Sequence, residues 1–343
     1  MTSELRKFIA PLLTSLIELL LQPKEKNVDA KICIYRTMRL LLRNVFENIQ
    51  TDSSIDSVGW VLDGKRESGA AADAVVNSVE SMSEDVARHL ATSITDFPPL
   101  RKTIPILLAS DLLHEDLKGS KRLSSTMSKC GIPRLLCELL VSVDFDWSEV
   151  ATARTQNLQR RECLGQYHLL TSVLISFARF AKTEHGWNAL SELSLVEIIS
   201  QLPIFTKPPK QVFIEPATVK KPGTSAHIYA TTLDLALHVC KQMCTNTKWK
   251  KQSEKILCVI RSLRELLQQL IRANIQCEIL TSAQELIKEI SINDEAVAAE
   301  VEADESLQQL MDFDTKSTRS AQPINVNSSF AAPRQLFSTL IPA

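Results

Sequence analysis

The sequence predicts an all-α protein, an irregular α-solenoid that ends in a disordered acidic tail. Three observations carry that expectation. The 343 residues are 44% hydrophobic but only 5% aromatic, so a core must be built mainly from Leu, Ile, Val and Ala. Only 8 glycines are present, few for the tight turns of a β-rich fold or for a Gly-rich phosphate loop. Apolar residues recur three and four apart over long spans, the period of a helix with one buried face.

Residues 1–50 read as an N-terminal helical pair. The first helix is expected from about Ser3 to Gln22. Its apolar run "FIAPLLTSLIELLL" is 14 residues long and contains Glu18, too short and too polar for a membrane span of about 20 residues. In the second, "DAKICIYRTMRLLLRNVFENI", Ile32, Tyr35, Met38, Leu42, Val45, Phe46 and Ile49 share one face, with Arg36, Arg39 and Arg43 on or near the other side. Residues 51–99 follow as a loop rich in Gly, Ser and Asp, then a weak helix from Ala71 to Ile94 that Pro98 and Pro99 stop.

Solenoid units are expected over residues 100–292. An apolar helix from Ile104 runs to a Gly-containing corner, and Gly131-Ile132-Pro133 opens "RLLCELL", with Pro tolerated where a helix begins. In "LLTSVLISFARFAK" Leu170, Val173, Leu174, Phe177, Phe180 and Ala181 form the next stripe. His185 and Gly186 then read as a helix C-terminus, a cation-capable side chain followed by the cap glycine. "SLVE" (Ser194 to Glu197) reads as a capping box opening "LVEIISQL". Leu174, Phe177, Ile198 and Ile199 are expected to be buried where these two helices pack. Pro203 to Pro222 holds five prolines and reads as an insertion, the 203–222 loop. "SAHIYATTLDLALHVCKQMC" and "SEKILCVIRSLRELLQQLI" form a further pair, and "TSAQELIKEI" a final helix with its own capping signal in Ser282 and Glu285. Helix–corner–helix units thus recur at roughly 50–60 residues, and stacked neighbours bury what no single pair can, as in arrays of HEAT/armadillo type.

Residues 293–343 read as mostly disordered. From Ile290 onward eight acids face only Lys316, Arg319 and Arg334, a net charge of −5. The rest of the chain balances 36 basic against 32 acidic residues, or +4. The tail closes on "FAAPRQLFSTLIPA", where Leu336, Phe337, Leu340 and Ile341 fall on one helical face. With Phe330 they make a candidate protein-docking peptide. Trp187, beside Gly186, is the other candidate partner-binding residue.

Motifs with chemistry are sparse. "HVCKQMC" brings His238, Cys240 and Cys244 together but offers no fourth zinc ligand at a recognised spacing, so these read as core residues. The eight cysteines mostly fall inside apolar helical patterns, which suits a reducing compartment. "GKRESG" lacks the Lys-Ser/Thr ending of a phosphate loop. "KWKKQSEK" (Lys248 to Lys255) sets four lysines beside Trp249, which reads as a solvated corner before it reads as a nucleic-acid contact. A chain-wide net charge of −1 also implies no general attraction to nucleic acid or anionic membrane. No catalytic residue, metal, cofactor or small-molecule substrate is expected, and the chain reads as no enzyme.

From about Tyr167 to Asp294 the order of features resembles the C-terminal region of the large inner-ring scaffold nucleoporins, α-solenoids of the nuclear pore complex. The phrases that carry the likeness are "TEHGWNALSELSLVEIISQLPIF", the Pro-bearing "TKPPKQVFIEP", "HIYATTLDLALHVC", "KILCVIRSLRELLQQL" and "EILTSAQELIKEI". The resemblance implies a non-enzymatic scaffold at the nuclear envelope that binds other proteins, linker nucleoporins among them. An armadillo/HEAT-type adaptor or regulatory protein elsewhere, in the cytoplasm, is the alternative.

Overall fold

The structure is a computed structural model that describes residues 8–22, 27–52, 83–113, 120–143, 157–206, 225–244, 253–272 and 277–313. Among these every regular element is a helix, and none is long and apolar enough to cross a membrane. Helix α1 is Ile9–Leu21, α2 Val28–Asp52, α3 Ser83–Asp96, α4 Pro99–Leu112, α5 Ser120–Lys129 and α6 Ile132–Ser142. Then come α7 Asn157–Ala181, α8 Glu184–Glu192, α9 Leu195–Ser200, α10 Pro203–Thr206 and α11 Ser225–Cys244. The series closes with α12 Ser253–Ser262, α13 Arg264–Arg272, α14 Glu278–Asn293, α15 Glu295–Ala303 and α16 Glu305–Asp312.

The helices pack in two rows. In one, α2, α4, α7, α11 and α14 each lie against the next. In the other, α1 packs on α3, α3 on α5 and α6, α6 on α8 and α9, α9 on α12, and α12 on α15. Helix α4 is wedged among α2, α3 and α7, which explains why Thr103 to Ser110 are buried on every side. Pro98 and Pro99 both end α3 and start α4, and Pro105 sits inside α4, where the ring removes one backbone donor. Ser176 of α7 donates to the Ile106 carbonyl at 3.1 Å, tying the two helices together at that point. Arg39 and Arg43 of α2 do not simply face solvent: both approach Asp111 of α4, at 2.7 and 3.7 Å.

The predicted stripes of α2 and α7 are in the core where their side chains are described: Ile32, Tyr35, Met38 and Leu42, and Leu170, Val173, Leu174, Phe177, Phe180 and Ala181. Ile199 is buried too, but Ile198 only partly. The expected seam is also different, since α7 packs chiefly on α4 and α11 while α9 packs on α12, α8 and α6.

Local signals read from sequence gave way at several helix ends. His185 and Gly186 do not end a helix. The chain leaves α7 at Ala181, and Thr183 caps α8 by accepting the Gly186 N–H at 3.2 Å. Ser194 makes no side-chain cap bond and sits at φ 54°, a left-handed conformation, and Glu197 pairs with Lys255 instead of closing a capping box. Helix α14 starts at Glu278 behind Cys277, so Ser282 lies a full turn inside it and donates elsewhere. The expected helix from Ser253 through Ile271 breaks at Leu263, which lets Leu266, Leu267 and Leu270 of α13 turn inward, with α13 lying against α16.

The largest correction concerns the tail. Residues 295–312 are not disordered but form α15 and α16, capped by Asp294 and Asp304 through their side chains. Val297, Val301, Leu307 and Leu310 are buried, and the acidic surface finds cations on the neighbouring helices: Arg261 with Glu300 at 2.5 Å, Arg264 with Asp304 at 3.5 Å. Bonds from Ser306 and the nearby Arg264 hold the Asp304 carboxyl below the usual aspartate range. Gln284 of α14, itself buried, donates to the carbonyls of Leu310 and Phe313 at 2.6 and 2.9 Å. Gln284→Leu should therefore loosen α16 by about 1–3 kcal/mol, because two inward carbonyls lose their donor. Amide exchange confined to α15 and α16 would show it, and unchanged protection there would contradict this account.

The loop containing "GKRESG", most of the 203–222 insertion, Lys248 to Lys251 with Trp249, and the peptide holding Phe330, Leu336, Phe337, Leu340 and Ile341 lie outside the described residues.

Candidate functional site

Trp187 is not a surface residue. It is buried at the α7–α8 corner, and its indole Nε1–H donates to the Met243 carbonyl of α11 at 3.1 Å. Both its apolar body and its single donor are spent on packing. Gly186 beside it is required sterically: a Cβ there would stand 2.3 Å from the Phe180 carbonyl oxygen.

Cys240 and Cys244 are core residues, and burial pushes the Cys240 thiol up to about 12. A thiol held protonated in this way is a poor metal ligand and a poor nucleophile. Among the described residues no group of three His, Cys, Asp or Glu side chains is placed to hold a metal ion.

The densest collection of perturbed groups runs across the long-helix row, over α7, α11 and α14. Tyr167 of α7 bonds Thr231 of α11, with burial raising its phenol to about 12, and its ring lies 5.2 Å from that of His168. One turn further along α11, Asp234 accepts the Ser282 hydroxyl of α14 at 2.5 Å. Burial pushes the Asp234 carboxyl up to about 6, the Ser282 bond opposes this, and Glu278 and Glu285 add to it. His238, the next turn, is pushed down to about 4 by burial and by Lys182, Lys241 and Arg179. Lys241 bonds Glu285 at 2.6 Å across the surface. No family model and no curated protein matches the chain.

The seam has its own chemistry. Ser282 donates its hydroxyl hydrogen bond to the Asp234 carboxylate and so joins α14 to α11 at that point. His238 is neutral at pH 7 and too weak a base to take a proton there, well below the pKa that suits general acid–base work. What the three helices present is a strip of half-buried hydrogen-bonding and charged groups, cationic along α7 and anionic along α14.

The sequence pattern reads His238 as a core residue once zinc is set aside, and Ser282 as a cap. The signal that was available is Asp234, an acid inside the apolar run "ATTLDLALHVC", four residues before a histidine and so on the same face.

A second surface lies on α1. Phe8, Leu12 and Leu19 point outward with 66%, 45% and 41% exposure, although the inner face of the helix is fully buried on α2 and α3. A helix that is apolar on both sides is unusual at a protein surface. Between α3 and α5 an open groove of about 670 Å³ is lined by Glu84, Arg88, Thr92, Thr126, Lys129 and Cys130.

Proposed function

We propose that the chain is a protein-binding scaffold, an irregular α-solenoid of HEAT/armadillo type that acts through its surfaces and performs no reaction. The observation that supports this reading is the packing order. Helices α2, α4, α7, α11 and α14 each share core with the next, and the shorter helices follow in a parallel row. Such an array buries apolar area between neighbours and leaves extended faces for partners. The outward leucines of α1 and the polar strip over α7, α11 and α14 are the two faces with groups to offer.

The resemblance over Tyr167 to Asp294 is what supports a role for this scaffold in the inner ring of the nuclear pore complex, with linker nucleoporins as the proposed partners. An adaptor outside the pore has the same architecture and differs in its partners. The test is to tag the full chain, image it in its own cell type and identify what co-purifies. A fluorescent nuclear rim together with enrichment of linker nucleoporins is the expected result. A diffuse cytoplasmic signal with none of them recovered would reject the pore assignment and favour the adaptor.

A further inference from the structure

We propose that the contact of α11 with α7 and α14 is an acid-compensated joint: Asp234 and His238, one turn apart on α11, respond to protons with opposite effects on its packing. The geometry comes first. On the α14 side Asp234 meets Glu278 and Glu285, with the Cys277 thiol also close enough to sense its charge. Asp234 accepts a hydrogen bond from an uncharged hydroxyl, that of Ser282. The cation Lys241 is engaged with Glu285. On the α7 side Arg179 and Lys182 face His238, and Lys241 adds a third positive charge against the single opposing Glu285. Helix α10, also packed on α11, brings only Pro203 to Thr206, with no ionisable group, and its Ile204 carbonyl accepts the Tyr229 hydroxyl at 2.8 Å. Burial comes first for both Asp234 and His238, and the like-signed charges around each add to it, so both are driven toward neutrality.

The two consequences oppose each other. Asp234 titrates near 6 when folded, against about 4 for an unfolded aspartate. Its protonation favours the folded state, so this contribution grows as pH falls from about 6 to 4 and is lost as pH rises through that window. His238 titrates near 4 when folded and near 6.5 when unfolded. The unfolded chain takes up that proton first, so the His238 contribution is lost as pH falls from 6.5 to 4. The windows overlap, and one group supplies what the other withdraws.

The experiment compares urea midpoints of the full chain and its variants from pH 7.5 to 4.5. Other titrating groups, His89 and His168 among them, are common to all the proteins and cancel in the differences. Asp234→Asn should have a midpoint above wild type at pH 7.5, with the excess shrinking steadily on acidification. His238→Gln should shift the other way, gaining on wild type as pH falls. The double variant should show a difference from wild type that varies less with pH than either single one. A difference that stays constant with pH for either single variant overturns the proposal. If a variant does not fold, NMR titration of the wild-type chain decides. A carboxyl midpoint for Asp234 at or below 4, or an imidazole midpoint for His238 at or above 6.5, overturns it equally.

Discussion

Phe177→Ala will destabilise the helical array by about 3–5 kcal/mol, the cost of removing a full aromatic side chain from a packed interior. Phe177 has no exposed surface, and α7 lies between α4 and α11 in the middle of the long-helix row. The void would open inside a helix held from two sides, and α7 cannot shift toward one neighbour to close it without drawing away from the other. Chemical denaturation measures the loss. Val141→Ala is the matched control, since Val141 is 68% exposed on α6 and should shift stability by no more than about 0.5 kcal/mol. Equal effects of the two substitutions would contradict the packing described for α7.

Gly186→Ala is expected to cost about 2–4 kcal/mol, although it adds a single methyl group. The new Cβ would lie 2.3 Å from the Phe180 carbonyl oxygen and 2.7 Å from the Thr183 hydroxyl oxygen. Both are short of any real contact, and one belongs to backbone. Relief requires α8 to move away from the end of α7, which breaks the Thr183 cap and disturbs the Trp187 bond to Met243 together. Gly131→Ala separates sterics from backbone preference. Gly131 has φ 76° but open space around the Cβ position, so only the left-handed conformation is penalised, by about 1–2 kcal/mol. If Gly186→Ala proves no worse than Gly131→Ala, the close approach of α8 to α7 is wrong.

The fold class was legible because helical periodicity is a local property. Once Leu170, Val173, Leu174, Phe177, Phe180 and Ala181 recur three and four apart, a buried face follows whatever covers it. Helix ends were less legible because the same side chains had distant offers. Glu197 could have closed a capping box with Ser194 but pairs with Lys255, 58 residues on. Ser282 could have capped a turn but donates to Asp234, 48 residues back. The acidic stretch from Asp294 misled for a related reason. Its charge looked unbalanced only along the chain, since Arg261 and Arg264 lie on other helices. The polar seam over α7, α11 and α14 shares that character. Asp234 and His238 are visible as neighbours on one helix, but the burial that shifts their protonation, and most of the charges that add to it, come from two others.

The two extremities of the helix order are chemically unlike. At one, α1 turns Phe8, Leu12 and Leu19 outward; at the other, α15 and α16 expose Glu295, Glu302, Glu305 and Asp312. Leucines pressed onto those carboxylates would strip water from the acids with no counter-charge in return, so the outward face of α1 disfavours the acidic face of a second copy and suits an apolar partner instead.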